Sequence, residues 1–359
     1  MKRIGFIFLT AVFVFLAAST IGFADSGVKN IILLIGDGMS IAHIQSGMLA
    51  SEVPLNIEEM RHIGFAQTSS ANSFITDSGA AGTAIATGVK TNDGYIGLDP
   101  EGRPLNSILH IAVENGLAAG LVATCAITHA TPASFIARQI HRNMQEEIAL
   151  DFLSTDIDVF IGGGRIFFEN REDGRNLIEE LEAKGYQLAY TMDEVRQVSS
   201  GKLAGLVAEG HPPRFSENRG NMLPEATETA INILSQNSEG FFIMIEGAQI
   251  DWGGHNNDVE YIVEEMLDFD RAVGKALDFA KRDGRTLVIV TSDHETGGMA
   301  LNDFNPETRE ITAGFTTWDH TGLMQPVFAW GPGAEEFIGI YENTGIFDRM
   351  LKAFGFSQN

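Results

Sequence analysis

Cysteine is all but missing: Cys125 is the only one in the chain. An internal disulfide is therefore excluded, and the fold must rest on its core, on metals or on a partner chain. Cys125 lies in the apolar stretch "GLVATCAI", which suits a buried, inert thiol. Basic residues are scarce too, 24 Lys and Arg against 48 Asp and Glu, for a net charge of −24. That balance argues against nucleic acid or an anionic membrane as a partner. A small anionic substrate is not excluded, because a bound metal can reverse the local field. There are only 10 prolines, with no low-complexity tract, repeat or Pro/Gly linker to split the chain.

At the N-terminus, Lys2 and Arg3 precede an uncharged run from Ile4 to Ala24, with small Gly22 and Ala24 set for cleavage after Ala24. Residues 1–24 read as a secretory signal peptide, which predicts a periplasmic or secreted protein, free of the membrane once cleaved. The run also has the length of an uncleaved anchor, but its strongly apolar part ends near Ala18. Further on, short apolar runs recur: "NIILLIG", "GLVATCAI", "DVFIGGG", "KLAGLVA", "FFIMIEG", "TLVIVTSD" and "PVFAWGP". Helical patterns lie between many of them, the longest near 258–283 with an apolar stripe from Tyr261 to Ala280. This alternation predicts an α/β fold: a central, mostly parallel β-sheet with helices on both faces. Residues 25–359 read as one domain, with a small peripheral insertion around 165–225.

In such a sheet, function gathers beyond the C-terminal ends of the strands. Three of the cleanest strands end in acids and histidines: Asp37; Glu246, Asp251 and His255; Asp293 and His294. Buried together, such groups are unfavourable unless a cation neutralises them. Carboxylate with imidazole suits Zn²⁺, and oxygen ligands alone suit Mg²⁺. Upstream, Ser78 opens the run "ITDSGAAGTAIATG", where bulk has been cleared. A serine at a helix start sits at the positive end of the dipole, and small neighbours would let a phosphate approach. Taken alone, the stretch fits a simple N-cap better, with Asp77 or Ser78 holding the helix start. His43, His62, His110, His141 and His211 have no comparable setting and are expected at the surface or in the core.

From about Lys29 onward the chain resembles the bacterial alkaline phosphatases. The resemblance is carried, in family order, by "GDGM", "TDSGAAGTA", "THATPAS", "EGAQIDWGGHNN", "TSDHETGG" and "HTGLMQPVFAWGPGA". It implies a three-layer α/β/α catalytic domain, phosphate monoesters as substrates, a phosphoserine intermediate and a homodimer. It implies Ser78 as nucleophile. Asp251, His255 and His320 would hold one Zn²⁺, and Asp37, Asp293 and His294 a second. Asp37, Thr131 and Glu246 would face a third ion, usually Mg²⁺. Arg142, placed by its spacing from Thr131, would clamp phosphate. His129 and Trp252 stand where the enterobacterial form has Asp and Lys. They resemble a branch that includes cold-adapted marine enzymes, and they put the third ion's identity in question. A sulfatase would need a Cys/Ser-x-Pro-x-Arg setting that Ser78 lacks. A phosphodiesterase, or an exported protein that only binds zinc or phosphate, are the other readings.

Overall fold

Strand β1 (Asn30–Gly36) is buried along its whole length, and its side chains alternate between two cores. Ile31, Leu33 and Ile35 face one, Ile32 and Leu34 the other. A strand buried on both faces belongs at the centre of a covered sheet. The computed structural model describes residues 27–356, so the expected signal peptide lies outside the described residues.

The other strands are β2 (His62–Gln67), β3 (Ala118–Ala126), β4 (Val159–Gly163), β5 (Tyr186–Ala189), β6 (Lys202–Leu206), β7 (Phe241–Gly247) and β8 (Thr286–Thr291). They are followed by β9 (Glu295–Thr296), β10 (Ala300–Asn305), β11 (Glu310–Gly314), β12 (His320–Thr321), β13 (Gln325–Trp330) and β14 (Gly339–Glu342). Ten of these form one sheet in the order β14-β2-β13-β8-β1-β7-β3-β4-β6-β5. Neighbours are parallel except at β13, which runs antiparallel to β2 and β8. On one face pack helices Ser78–Thr87, Ile108–Glu114, Ala130–Ile136, Gln145–Ser154, Leu177–Ala183 and Thr344–Phe354. On the other pack Ile41–Ala50, Met192–Gln197, Met222–Leu234, Gln249–His255 and Val259–Asp283. The expected three-layer α/β/α architecture is therefore present.

Within 165–225, β6 pairs with β4, and β5 forms the outer edge, so this segment lengthens the sheet. The 25-residue helix Val259–Asp283 buries the expected stripe, including Tyr261, Ile262, Met266, Phe269, Val273, Leu277 and Ala280. Asp258 caps its start by accepting from the N–H groups of Glu260 and Tyr261. Among the described residues, no helix is long and apolar enough to cross a membrane.

Candidate active site

The sheet's carboxyl edge assembles the site. In register, Ile35 of β1 pairs with Glu246 and with Thr291, so Asp37, Glu246 and Asp293 emerge side by side. Asp251 and His255 are one turn apart on the helix after β7, with His255 Nε2 3.4 Å from Asp251 Oδ1. The short β9–β12 pairing places His320 opposite Thr296 and so delivers it from far along the chain. His320 Nε2 lies 3.2 Å from His255 Nε2 and 3.7 Å from Asp251 Oδ1. Each imidazole is aimed through its other nitrogen: His255 Nδ1 at the Trp318 carbonyl (2.7 Å), His320 Nδ1 at that of Thr76 (2.8 Å). Asp37, Asp293 and His294 form the adjacent group, with His294 Nε2 3.5 Å from Asp37 Oδ1 and 3.3 Å from Asp293 Oδ2.

The turn after β1 tolerates only glycine at position 38. Its φ is +69°, and a Cβ there would lie 2.7 Å from Asp251 Cα. The Gly38 N–H also donates to Asp293 Oδ1 at 3.2 Å, tying the two strand ends together.

Ser78 is the first residue of its helix, and its Oγ lies 3.1 Å from His294 Nε2. The N-cap is Asp77. Its Oδ1 accepts from the N–H groups of Ala80 (2.9 Å) and Gly94 (3.0 Å), and its Oδ2 from Arg142 (2.9 Å). Burial works against the Asp77 charge, but Arg142 and these N–H groups hold its carboxyl below the usual range. The small residues after Ser78 have a reason the sequence reading missed. The whole helix is buried, and Gly82 abuts Ser134, whose Oγ donates to Gly79 O at 3.2 Å. Bulk is excluded because helix Ala130–Ile136 lies against this one.

The carboxylates are crowded and dry. Burial, then the charges of Asp293, Asp251 and Glu246, push Asp37 well above its usual pKa. Burial likewise raises Asp293 and takes Glu246 to about 7. Burial, then His320, drives His294 well below its usual value. Both oxygens of Asp37, Asp293 Oδ2, Glu246 Oε1 and Thr131 Oγ1 are buried without a hydrogen-bond partner. Orphaned acceptors converging on one place are the signature of a cation site. The donors fit the expected ions: two groups of carboxylate plus imidazole for Zn²⁺, and Asp37, Thr131 and Glu246, all oxygen, for Mg²⁺. Asp319 adds a carboxylate beside His255 and His320 that the sequence reading did not single out.

His129 and Trp252 also reach this region, their rings edge to face at 6.4 Å. His211 joins them. It is exposed, as expected, but it is not remote from the site, for its ring stands 5.4 Å from His129 and 5.0 Å from Trp252. Its Nδ1 accepts the Ala126 N–H at 3.0 Å. The one signal in sequence was its neighbour pair, Pro212-Pro213, which stiffens the loop that carries it.

With this geometry in hand, the comparisons are consistent. The family model for alkaline phosphatase matches residues 28–313. The chain is 32% identical over 412 residues to alkaline phosphatase 4 of Bacillus subtilis, spanning 90% of this chain and 89% of that protein. It is 32% identical to the alkaline phosphatase of Escherichia coli K12, over 92% and 87% of the two chains. The alkaline phosphatase of the Antarctic bacterium TAB5 superposes with a TM-score of 0.87 at 42% identity, covering 92% of this chain and 99% of that one. Two variants of that enzyme carry magnesium in an M3 site.

Proposed function

The chain belongs to the alkaline phosphatase family and is a metal-dependent phosphomonoesterase, and from that premise we propose that Ser78 is its nucleophile. The observation that carries the proposal is the position of Ser78 Oγ, 3.1 Å from His294 Nε2 and at the start of a helix. Asp251, His255 and His320 would hold one zinc ion, and Asp37, Asp293 and His294 the other. Asp37, Thr131 and Glu246 would hold Mg²⁺. Bound there, the ions would lower the hydroxyl's pKa and offset charge on the attacking and leaving oxygens of an in-line displacement.

The chain's own residues do the rest. Ser78 Oγ attacks phosphorus, the ester P–O bond breaks, and the alcohol leaves. Arg142, anchored by Asp77, turns its planar fork to two non-bridging oxygens. The N–H groups at the helix start add partial positive charge. Water then hydrolyses the phosphoserine, releasing phosphate and restoring Ser78. His129 and Trp252 flank the third site in place of the carboxylate and cation of the enterobacterial form. They would weaken its hold on Mg²⁺ and on product phosphate.

The proposal includes a single catalytic domain over 25–359, export to the periplasm or beyond, and a homodimer. Exposed Ile63, Ile338 and Ile340 near one sheet edge support the last point. The test is turnover of a chromogenic phosphate monoester beside a diester and a sulfate ester. Dominant hydrolysis of the diester or the sulfate would replace this reading.

A further inference from the structure

Glu246 belongs to the proposed oxygen ligands, yet two of its neighbours carry softer donor atoms that this set does not use. Cys125 Sγ donates to Glu246 Oε2 at 3.2 Å. His129 Nδ1 is buried with no hydrogen-bond partner. One donor atom from each of Cys125, His129 and Glu246 lies within 4.8 Å of the others.

The fold holds these three together firmly. Ala123 of β3 pairs with Glu246 of β7, and Cys125, two residues on, shares the face of Ala123. The chain then turns tightly, the His129 N–H bonding to Ala126 O at 2.8 Å, and His129 becomes the residue before helix Ala130–Ile136. His211 and Trp252 pack edge-on against its ring. A thiol that only filled space would explain its bond to Oε2. It would not explain why His129 Nδ1, buried beside that pair, stays unpartnered.

We infer that Cys125, His129 and Glu246 form a second, softer ligand set that shares Glu246 with the oxygen set, and that zinc taken there displaces magnesium. Thiolate and imidazole favour zinc, whereas Mg²⁺ demands oxygen. Three protein ligands with one open position is an ordinary zinc arrangement. Zinc replaces the thiol proton of Cys125, which leaves to solvent, and no oxidation is involved. The inference rests on the metal sites of the proposed function. It gives the third site two states, chosen by the ratio of zinc to magnesium.

The test uses the full chain, stripped by a chelator and titrated with Co²⁺. Ligands of oxygen and nitrogen give visible bands only, and a thiolate adds a near-ultraviolet charge-transfer band. The first two equivalents should give visible bands alone. The third should add the near-ultraviolet band, and millimolar Mg²⁺ should suppress it. Cys125→Ser should lose that band while keeping the visible ones, and should need about tenfold more zinc to fill its third site. A parent protein whose third equivalent binds without the band overturns the inference, as does a band that persists in Cys125→Ser. Absence of visible bands from the first two equivalents would instead overturn the metal sites of the proposed function. The parent spectrum decides the matter even if the variant fails to fold.

Discussion

Asp77 divides its two oxygens: Oδ1 caps the helix that begins at Ser78, and Oδ2 holds Arg142. Helix start and the proposed phosphate clamp are thereby fixed relative to one another, so each can be removed separately. Ser78→Ala takes away one hydroxyl and should alter stability by about 1 kcal/mol or less. It should abolish nearly all turnover while retaining bound metal. Mass spectrometry of acid-quenched parent enzyme should find phosphate on Ser78, and label on another residue would move the nucleophile there. Arg142→Ala leaves Ser78 in place but removes the fork. Phosphate inhibition should weaken by about tenfold to a hundredfold, the worth of a charge-assisted contact. Arg142→Lys should recover only part of this, because an ammonium cannot grip two oxygens in one plane. Equal inhibition constants in all three proteins would remove Arg142 from the site.

Elements differ in how far their sequence reveals them. Strands β1, β7 and β8 are continuous apolar runs ending in acids, so both the centre of the sheet and the acids gathered at its carboxyl edge were legible. The edges were not. His62–Gln67 mixes exposed and buried positions, and β5 and β14 have four residues each, too few for a pattern. Antiparallel β13 reads like its parallel neighbours, because burial, not direction, sets its composition. Ser78 stood out, but the small residues after it answer to Ser134 on a neighbouring helix, a packing fact invisible along the chain. His211 reaches His129 only because the loop after β6 lies against the ends of β4 and β3, as the bonds from Gly164 N to Gly210 O and from Ala126 N to His211 Nδ1 record. Turns were legible as glycine but not in consequence. Gly38→Ala would place a β-carbon in left-handed backbone, costing about 1 kcal/mol, and drive it into Asp251. The variant should lose zinc from the Asp251 group as well as stability. A Gly38→Ala protein with full zinc content would show that the turn yields without moving its ligand.

For the whole molecule, the missing disulfide and the buried acids combine. Asp37, Glu246 and Asp293 have no solvent exposure and Asp251 has 6%. Without cations their mutual repulsion opposes folding, and no cross-link offsets it. A chelator should therefore lower the melting temperature as well as stop turnover, and zinc should restore both. Identical melting with and without chelator would confine the metals to chemistry. Acid acts on the fold by a separate route, and His110 isolates it. Burial, then the charge of Arg138, lowers its pKa from 6.5 to about 4. Its Nδ1 meets the Ser107 hydroxyl at 2.8 Å and accepts the Ser107 N–H at 3.3 Å, closing the cap of helix Ile108–Glu114, so only neutral imidazole fits. Because the folded pKa is the lower one, the unfolded chain binds the extra proton between the two values. Stability from this residue is complete above pH 6.5 and drains away as pH falls toward 4. His110→Gln preserves a capping-box acceptor that does not titrate. Metal loss in acid is common to both proteins, so their difference reports His110 alone. Denaturant unfolding should show the parent losing about 1–3 kcal/mol more than the variant between pH 7 and pH 4.5. Parallel pH profiles for the two would mean that His110 accepts its proton without leaving the cap.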